Sequence, residues 1–157
     1  QAWRTGACAC GLVVRPLFAV RFVLVAAPAW IRRHGLPQTP EDASAHAAVL
    51  PSYTDVGRIT CTRGGETATL ALNSALQSNN TLMLRELLLA GSGIGYLPHW
   101  LAQDDLAAGR LVQLLPEWEL HRITLHAAYP DRRHLSAKVR SFIDFLVEKA
   151  AALQDAS

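Results

Sequence analysis

The apolar positions of this chain fall into short runs with two different spacings. Residues 22–27 are continuously apolar, F-V-L-V-A-A, as expected of a strand covered on both faces. Residues 47–50, 94–97, 111–115 and 123–129 read as further strands, and 59–63 with 67–72 flank Gly64-Gly65 as a tight hairpin. Helical spacing takes over at 81–90, where Leu84, Leu87 and Leu88 recur. It returns near the C-terminus, where Ser136 stands as a cap before the stripe Val139, Phe142, Ile143, Leu146 and Ala150.

The stops and starts agree with these runs. Pro28 opens a short helix that Gly35 ends, and Thr39, Pro40 and Asp42 form a capping box with proline at the first turn. Gly91 sits where a left-handed residue closes a helix, and Pro98 opens another. Residues 104–108 read as a separate turn ended by Gly109, with Asp104-Asp105 as its N-cap. Strands alternating with helices argue an α/β fold with a mainly parallel sheet.

Composition sharpens this picture only a little. Half of the 157 residues are hydrophobic and 18% are charged, which is globular. A formal charge of +2 with scattered Arg and Lys is no nucleic-acid footprint. No run approaches the length of a membrane span. The run at 22–27 is too short and too internal for a signal peptide. Cys8, Cys10 and Cys61 give an odd count, read as reduced thiols of a cytoplasmic protein.

Candidate chemistry points to binding and away from catalysis. Gly91, Gly93 and Gly95 spell G-x-G-x-G, but they follow a helix and open a strand, the reverse of a dinucleotide loop. They read as close packing. The six histidines show no metal-ligand spacing, and no nucleophile elbow or Ser-His-Asp order is present, so neither a metal, a cofactor nor an enzyme is expected. His126 reads as a sheet histidine, and Trp30, Trp100 and Trp118 as packing residues. Ser78, Asn79 and Asn80 precede a helix, where they can cap it and also offer hydrogen bonds to a ligand. Ser52 and Tyr53 follow the strand at 47–50 and end at the same crevice if the sheet is parallel there. Tyr96 lines that crevice or the core.

The stretch L-R-E-L-L-L-A-G-S-G-I-G-Y-L-P resembles the effector-binding domain of LysR-type transcriptional regulators. So do D-L-A-A-G-R-L-V-Q-L-L-P-E-W, Y-P-D-R-R-H-L-S-A-K-V-R-S-F-I-D-F-L-V-E and, upstream, R-P-L-F-A-V-R-F-V-L-V-A-A-P-A-W-I-R-R-H-G. The resemblance runs from Leu12 to Glu148; residues 1–11 fit neither it nor a clear element. It implies a periplasmic-binding-protein type II-like α/β fold, one lobe complete and the other partial. On that pattern residues 1–36 hold part of the first lobe and a crossover strand. Residues 37–117 form the second lobe, and 118–157 supply the return crossover, a first-lobe strand and the C-terminal helix.

The function implied is binding of a small-molecule effector between two lobes, modulating DNA binding by a winged helix-turn-helix absent from this chain. Ser52, Tyr53, Ser78, Asn79, Asn80 and Tyr96 are the expected ligand contacts. A homodimer or tetramer follows from the resemblance, with no membrane partner. The exposed side of residues 82–89, with Met83 and Leu87, is a partner surface. An incomplete first lobe predicts exposed apolar area around Val23 and Phe142. The alternative is a solute-binding module of the same bilobed fold, which an upstream signal peptide would distinguish.

Overall fold

The computed structural model describes residues 12–52, 57–120, 122–130 and 137–154. It divides into two compact units, one of Gln1–Val20 with Arg122–Ser157 and one of Arg21–His121. The first unit begins with β1 (Leu12–Val20).

The second unit is built on β2 (Phe22–Ala26), whose residues alternate between two cores. Leu24 and Ala26 join Trp30, Leu50, Ile94 and Trp118 on one side. Val23 and Val25 join Val49, Leu84, Leu88 and Leu97 on the other. Burial on both faces is why this strand carries no polar residue.

α1 (Pro28–His34) has proline in its first turn and ends at Gly35, whose φ of 84° avoids a Cβ penalty. α2 (Pro40–Ser44) carries the full capping box. Asp42 N donates to Thr39 Oγ1 and Thr39 N to Asp42 Oδ2, both at 3.1 Å. β3 (Ala47–Pro51) follows, then β4 (Arg58–Arg63) and β5 (Glu66–Ala71) as an antiparallel hairpin. Its turn takes φ of 54° and 90° at Gly64 and Gly65, as expected from that pair. β6 (Asn73–Ser78) runs parallel to β3, from Ala47 opposite Asn73 to Pro51 opposite Ser78.

α3 (Thr81–Leu89) leads through Gly91 into β7 (Gly95–Pro98). A Cβ on Gly93 would lie 2.7 Å from the Ala47 carbonyl oxygen, and one on Gly95 2.5 Å from that of Val49. Those glycines let the chain pass against β3, so the packing reading of G-x-G-x-G holds. β7 is antiparallel to β2, and the parallel bridge between Ala48 and Ile94 ties it to β3. α4 (His99–Ala107) is one continuous helix, followed by the short strands β8 (Val112–Gln113), on β2, and β9 (Glu119–Leu120), on β4. The strand order is thus β6-β3-β7-β2-β8, with the β5-β4-β9 sheet beside it.

Two expectations fail here. The sheet is not mainly parallel: among the described strands only β3, β6 and the Ala48–Ile94 bridge pair in that sense. Alternation of elements does not fix direction, because β2 and β3 are neighbours in sequence but β7 separates them in the sheet. Nor do Asp104 and Asp105 cap a helix. They lie in the last turn of α4, where Asp105 is fully buried. Arg85 grips it through two hydrogen bonds of 2.6 and 2.8 Å, and Arg110 Nε adds one of 2.8 Å. Burial opposes the charge on Asp105, but hydrogen bonds from Arg85 and then Arg110 outweigh it and hold the carboxyl below its ordinary range.

In the first unit, β1 pairs antiparallel with β10 (Ile123–Pro130), with an irregularity between Pro16 and Phe18. Pro16 has no N–H to give the ladder. α5 (Ala137–Gln154) packs on β1, and Arg15 reaches Asp144 at 3.1 Å. Ile143 and Tyr129 are buried, whereas Phe142 is 59% exposed and Val139 and Phe145 are exposed too. Of the predicted apolar stripe, only Ile143 is fully covered; Ser136 and the Ala150 side chain lie outside what is described. The expected exposure at Phe142 is present. At Val23 it is not: that side chain is 2% exposed, because Leu84, Leu88 and Leu97 cover it.

Candidate functional site

Parallel pairing brings the ends of β3 and β6 together, since Pro51 faces Ser78. Ser52 N then donates to the Ser78 carbonyl at 3.0 Å, holding the two chain ends side by side. Ser78 Oγ accepts from Asn80 N at 3.1 Å, which tightens the turn into α3. Asn80 Oδ1 caps the helix, accepting from Leu82 N at 2.9 Å and Met83 N at 3.3 Å. Asn79, at the tip of this turn, is exposed. Capping therefore occupies Asn80 Oδ1 and Ser78 Oγ, while Asn79 and Ser52 present polar groups outward.

Of the predicted contacts, Ser52, Ser78, Asn79 and Asn80 thus form one polar group at the carboxyl ends of two parallel strands. Tyr53 lies outside the described residues. Tyr96 is 6% exposed, pairs with Leu24, and meets Phe22 edge-on with ring centroids 5.7 Å apart. It belongs to the core directly below this pole. Phe22 sits opposite Pro98, so the start of β2 and the end of β7 lie at the same end of the sheet as Pro51.

Sequence reasoning missed a second group at this end. His99 N donates to the Arg21 carbonyl at 2.8 Å, fixing the start of α4 beside the start of β2. Burial, then the nearby Arg21 charge, pushes the His99 imidazole below its ordinary value. Trp100 beside it is 62% exposed and does not pack, contrary to expectation. No local signal links Arg21 to His99, because only the antiparallel pairing of β2 with β7 joins them.

The groups at this pole are hydrogen-bond donors and acceptors, suited to orienting a small polar molecule. Elsewhere, Cys61 is buried in β4 with its thiol facing the Ala68 carbonyl at 3.5 Å; burial pushes that thiol up, which makes it a poor nucleophile. His126 is exposed on β10. Among the described residues no helix is long and apolar enough to cross a membrane.

Comparison with known proteins identifies the family. The chain is 35% identical over 145 residues to the HTH-type transcriptional regulator PtxR of Pseudomonas aeruginosa, covering 88% of this chain and 45% of that protein. It is 34% identical over 151 residues to the Probable HTH-type transcriptional regulator LtrA of Klebsiella pneumoniae, covering 94% of this chain and 49% of that one. The chain therefore spans about half the length of the curated relatives it matches. Among solved structures, the regulatory domain of CrgA from Neisseria meningitidis superposes with a TM-score of 0.75 at 28% identity, covering 94% of this chain and 73% of that one. Full-length AphB, a LysR-type virulence activator of Vibrio cholerae, gives 0.78 at 26% identity over 94% of this chain and 50% of its own. These neighbours carry the type II periplasmic-binding-protein-like fold. The family pattern described as LysR substrate binding domain matches residues 10–151, and this chain belongs to that family.

Proposed function

We propose that this chain is the effector-sensing part of a bacterial LysR-type transcriptional regulator. A small molecule docks on the pole formed by Ser52, Ser78, Asn79 and Asn80, with Tyr53 next in sequence and Tyr96 stiffening the floor. The observation that carries this reading is the pairing of Ser52 with Ser78, which sets two polar strand ends against the first turn of α3. Binding favours one conformation of the domain and so shifts how a winged helix-turn-helix, carried by another part of the protein, meets DNA. The relatives are transcriptional regulators, which supports a cytoplasmic, non-enzymatic role.

Self-association belongs to the same reading. Among the described residues β6 pairs only with β3 and carries no charged residue, and Leu76, Leu82 and Met83 near it are 41%, 61% and 52% exposed. Such an edge favours pairing with a second copy. We assign the dimer contact to β6 and the outer side of α3.

Thermal-shift measurements against aromatic acids, amino acids and sugars, made on the complete effector domain, test the proposal. A stabilising compound should lose its effect in Asn79→Ala and Ser52→Ala while the ligand-free melting temperature stays unchanged. A compound that stabilises both variants as it does the parent would sink this placement of the site.

A further inference from the structure

Outside that pole, the structure gathers two histidines that the sequence keeps apart. His34 ends α1 and His46 lies in the turn before β3. Both rest on Trp30, which is 3% exposed: His34 stacks on its ring at 4.6 Å and His46 meets it edge-on at 4.8 Å. The two imidazoles are 5.8 Å apart between centroids and inclined by 77°. His34 Nδ1 lies 3.0 Å from the Trp30 carbonyl, which accepts its proton and leaves Nε2 as a lone-pair donor. That carbonyl contact is the outer partner a metal-bound histidine normally has. The His46 ring makes no hydrogen bond among the described residues. Two imidazoles bound side by side to one ion at about 2.0–2.1 Å per nitrogen have centroids roughly 4.5–5 Å apart, so the two rings must close by about 1 Å to share a ligand.

We propose that His34 and His46 form a surface site for a borderline divalent transition-metal ion such as Ni(II) or Cu(II), with water in the remaining positions. Imidazole suits these ions. Among the described residues no group of three or more His, Cys, Asp or Glu side chains is placed to hold a metal, so this is a two-ligand, moderate-affinity site. Bound metal ties the end of α1 to the start of β3 and rigidifies the chain around Trp30.

Calorimetric titration of the untagged chain with nickel chloride tests this, with tryptophan fluorescence quenching that is lost in Trp30→Phe as a second readout. One ion per chain should bind, and His34→Gln and His46→Ala should each weaken binding by roughly tenfold or more. His126→Ala, on β10, should leave the affinity as it was. His34 is exposed, so its variant keeps the fold and carries the test even where His46→Ala does not. Absence of nickel binding by the parent chain, or parental affinity in His34→Gln, overturns the proposal.

Discussion

β2 and β10 are both hydrophobic strands of similar sequence character, yet they end in opposite circumstances. In β2, Val23, Leu24, Val25 and Ala26 are all at most 2% exposed. In β10, Ile123 and Leu125 remain 42% and 44% exposed, although both are as apolar as anything in β2. The difference is in the neighbours. β2 lies between β7 and β8 with a core on each face, whereas among the described strands β10 pairs only with β1, with α5 in the same unit. Apolar sequence makes a strand possible; burial needs partners, and the second unit contains its own.

The largest effect that would break this contrast is at Asp105. Asp105 is buried while the Arg85 and Arg110 side chains are 24% and 55% exposed. Asp105→Ala therefore removes three charged hydrogen bonds without burying a bare charge, and should cost about 3 kcal/mol in urea unfolding followed by Trp fluorescence. The same carboxyl sets an acid limit. Its pKa in the fold is depressed below the ordinary 3.8, so its contribution is fully present above that value and is lost as pH falls below it. In Asp105→Asn this part of the acid sensitivity should vanish. An unchanged stability in either variant would show the arginine clamp to be incidental.

Of the same order is the core itself. Leu88 is fully buried in α3 against Val23 and Val25, and truncation to alanine should cost about 3 kcal/mol by the loss of contacts and the cavity left behind. Amide exchange should follow the same order, with β2 protected far longer than β10. Comparable protection in the two strands would remove the contrast drawn above. A smaller effect falls at the proposed site: Asn80→Ala should cost about 1 kcal/mol through loss of the α3 cap.

What could be read from the chain and what could not divides along the same line. Thr39 with Asp42, Gly35, Gly91 and the Gly64-Gly65 turn are local devices, decided by residues within a few positions of each other, and the structure matches them. β6 carried no such signal: N-S-A-L-Q-S has no alternation because five of its six residues are exposed and the sixth is half-buried. Its pairing with β3 is what brings Ser52 to Ser78, so the four-residue polar pole was legible as residues but not as an assembly. Asp105 was misread for a related reason. Its partners Arg85 and Arg110 come from other elements, and a D-D pair before a short apolar run looks the same whether it faces water or a guanidinium.

The smallest expected effect tests the exposed side of the comparison. Phe142 is 59% exposed on α5, so removing its ring forfeits little burial within the chain. Phe142→Ser should therefore change the unfolding free energy by no more than about 0.5 kcal/mol, as ordinary surface substitutions do. Exposed apolar groups still attract one another, and Phe145 and Val139 flank Phe142 on the same helix. Sedimentation of the parent chain should accordingly show self-association that Phe142→Ser reduces, while a β6 variant such as Leu76→Lys reduces it by a separate route. A large loss of stability in Phe142→Ser would mean that its ring is buried in solution and that the first unit is better covered than β10 suggests.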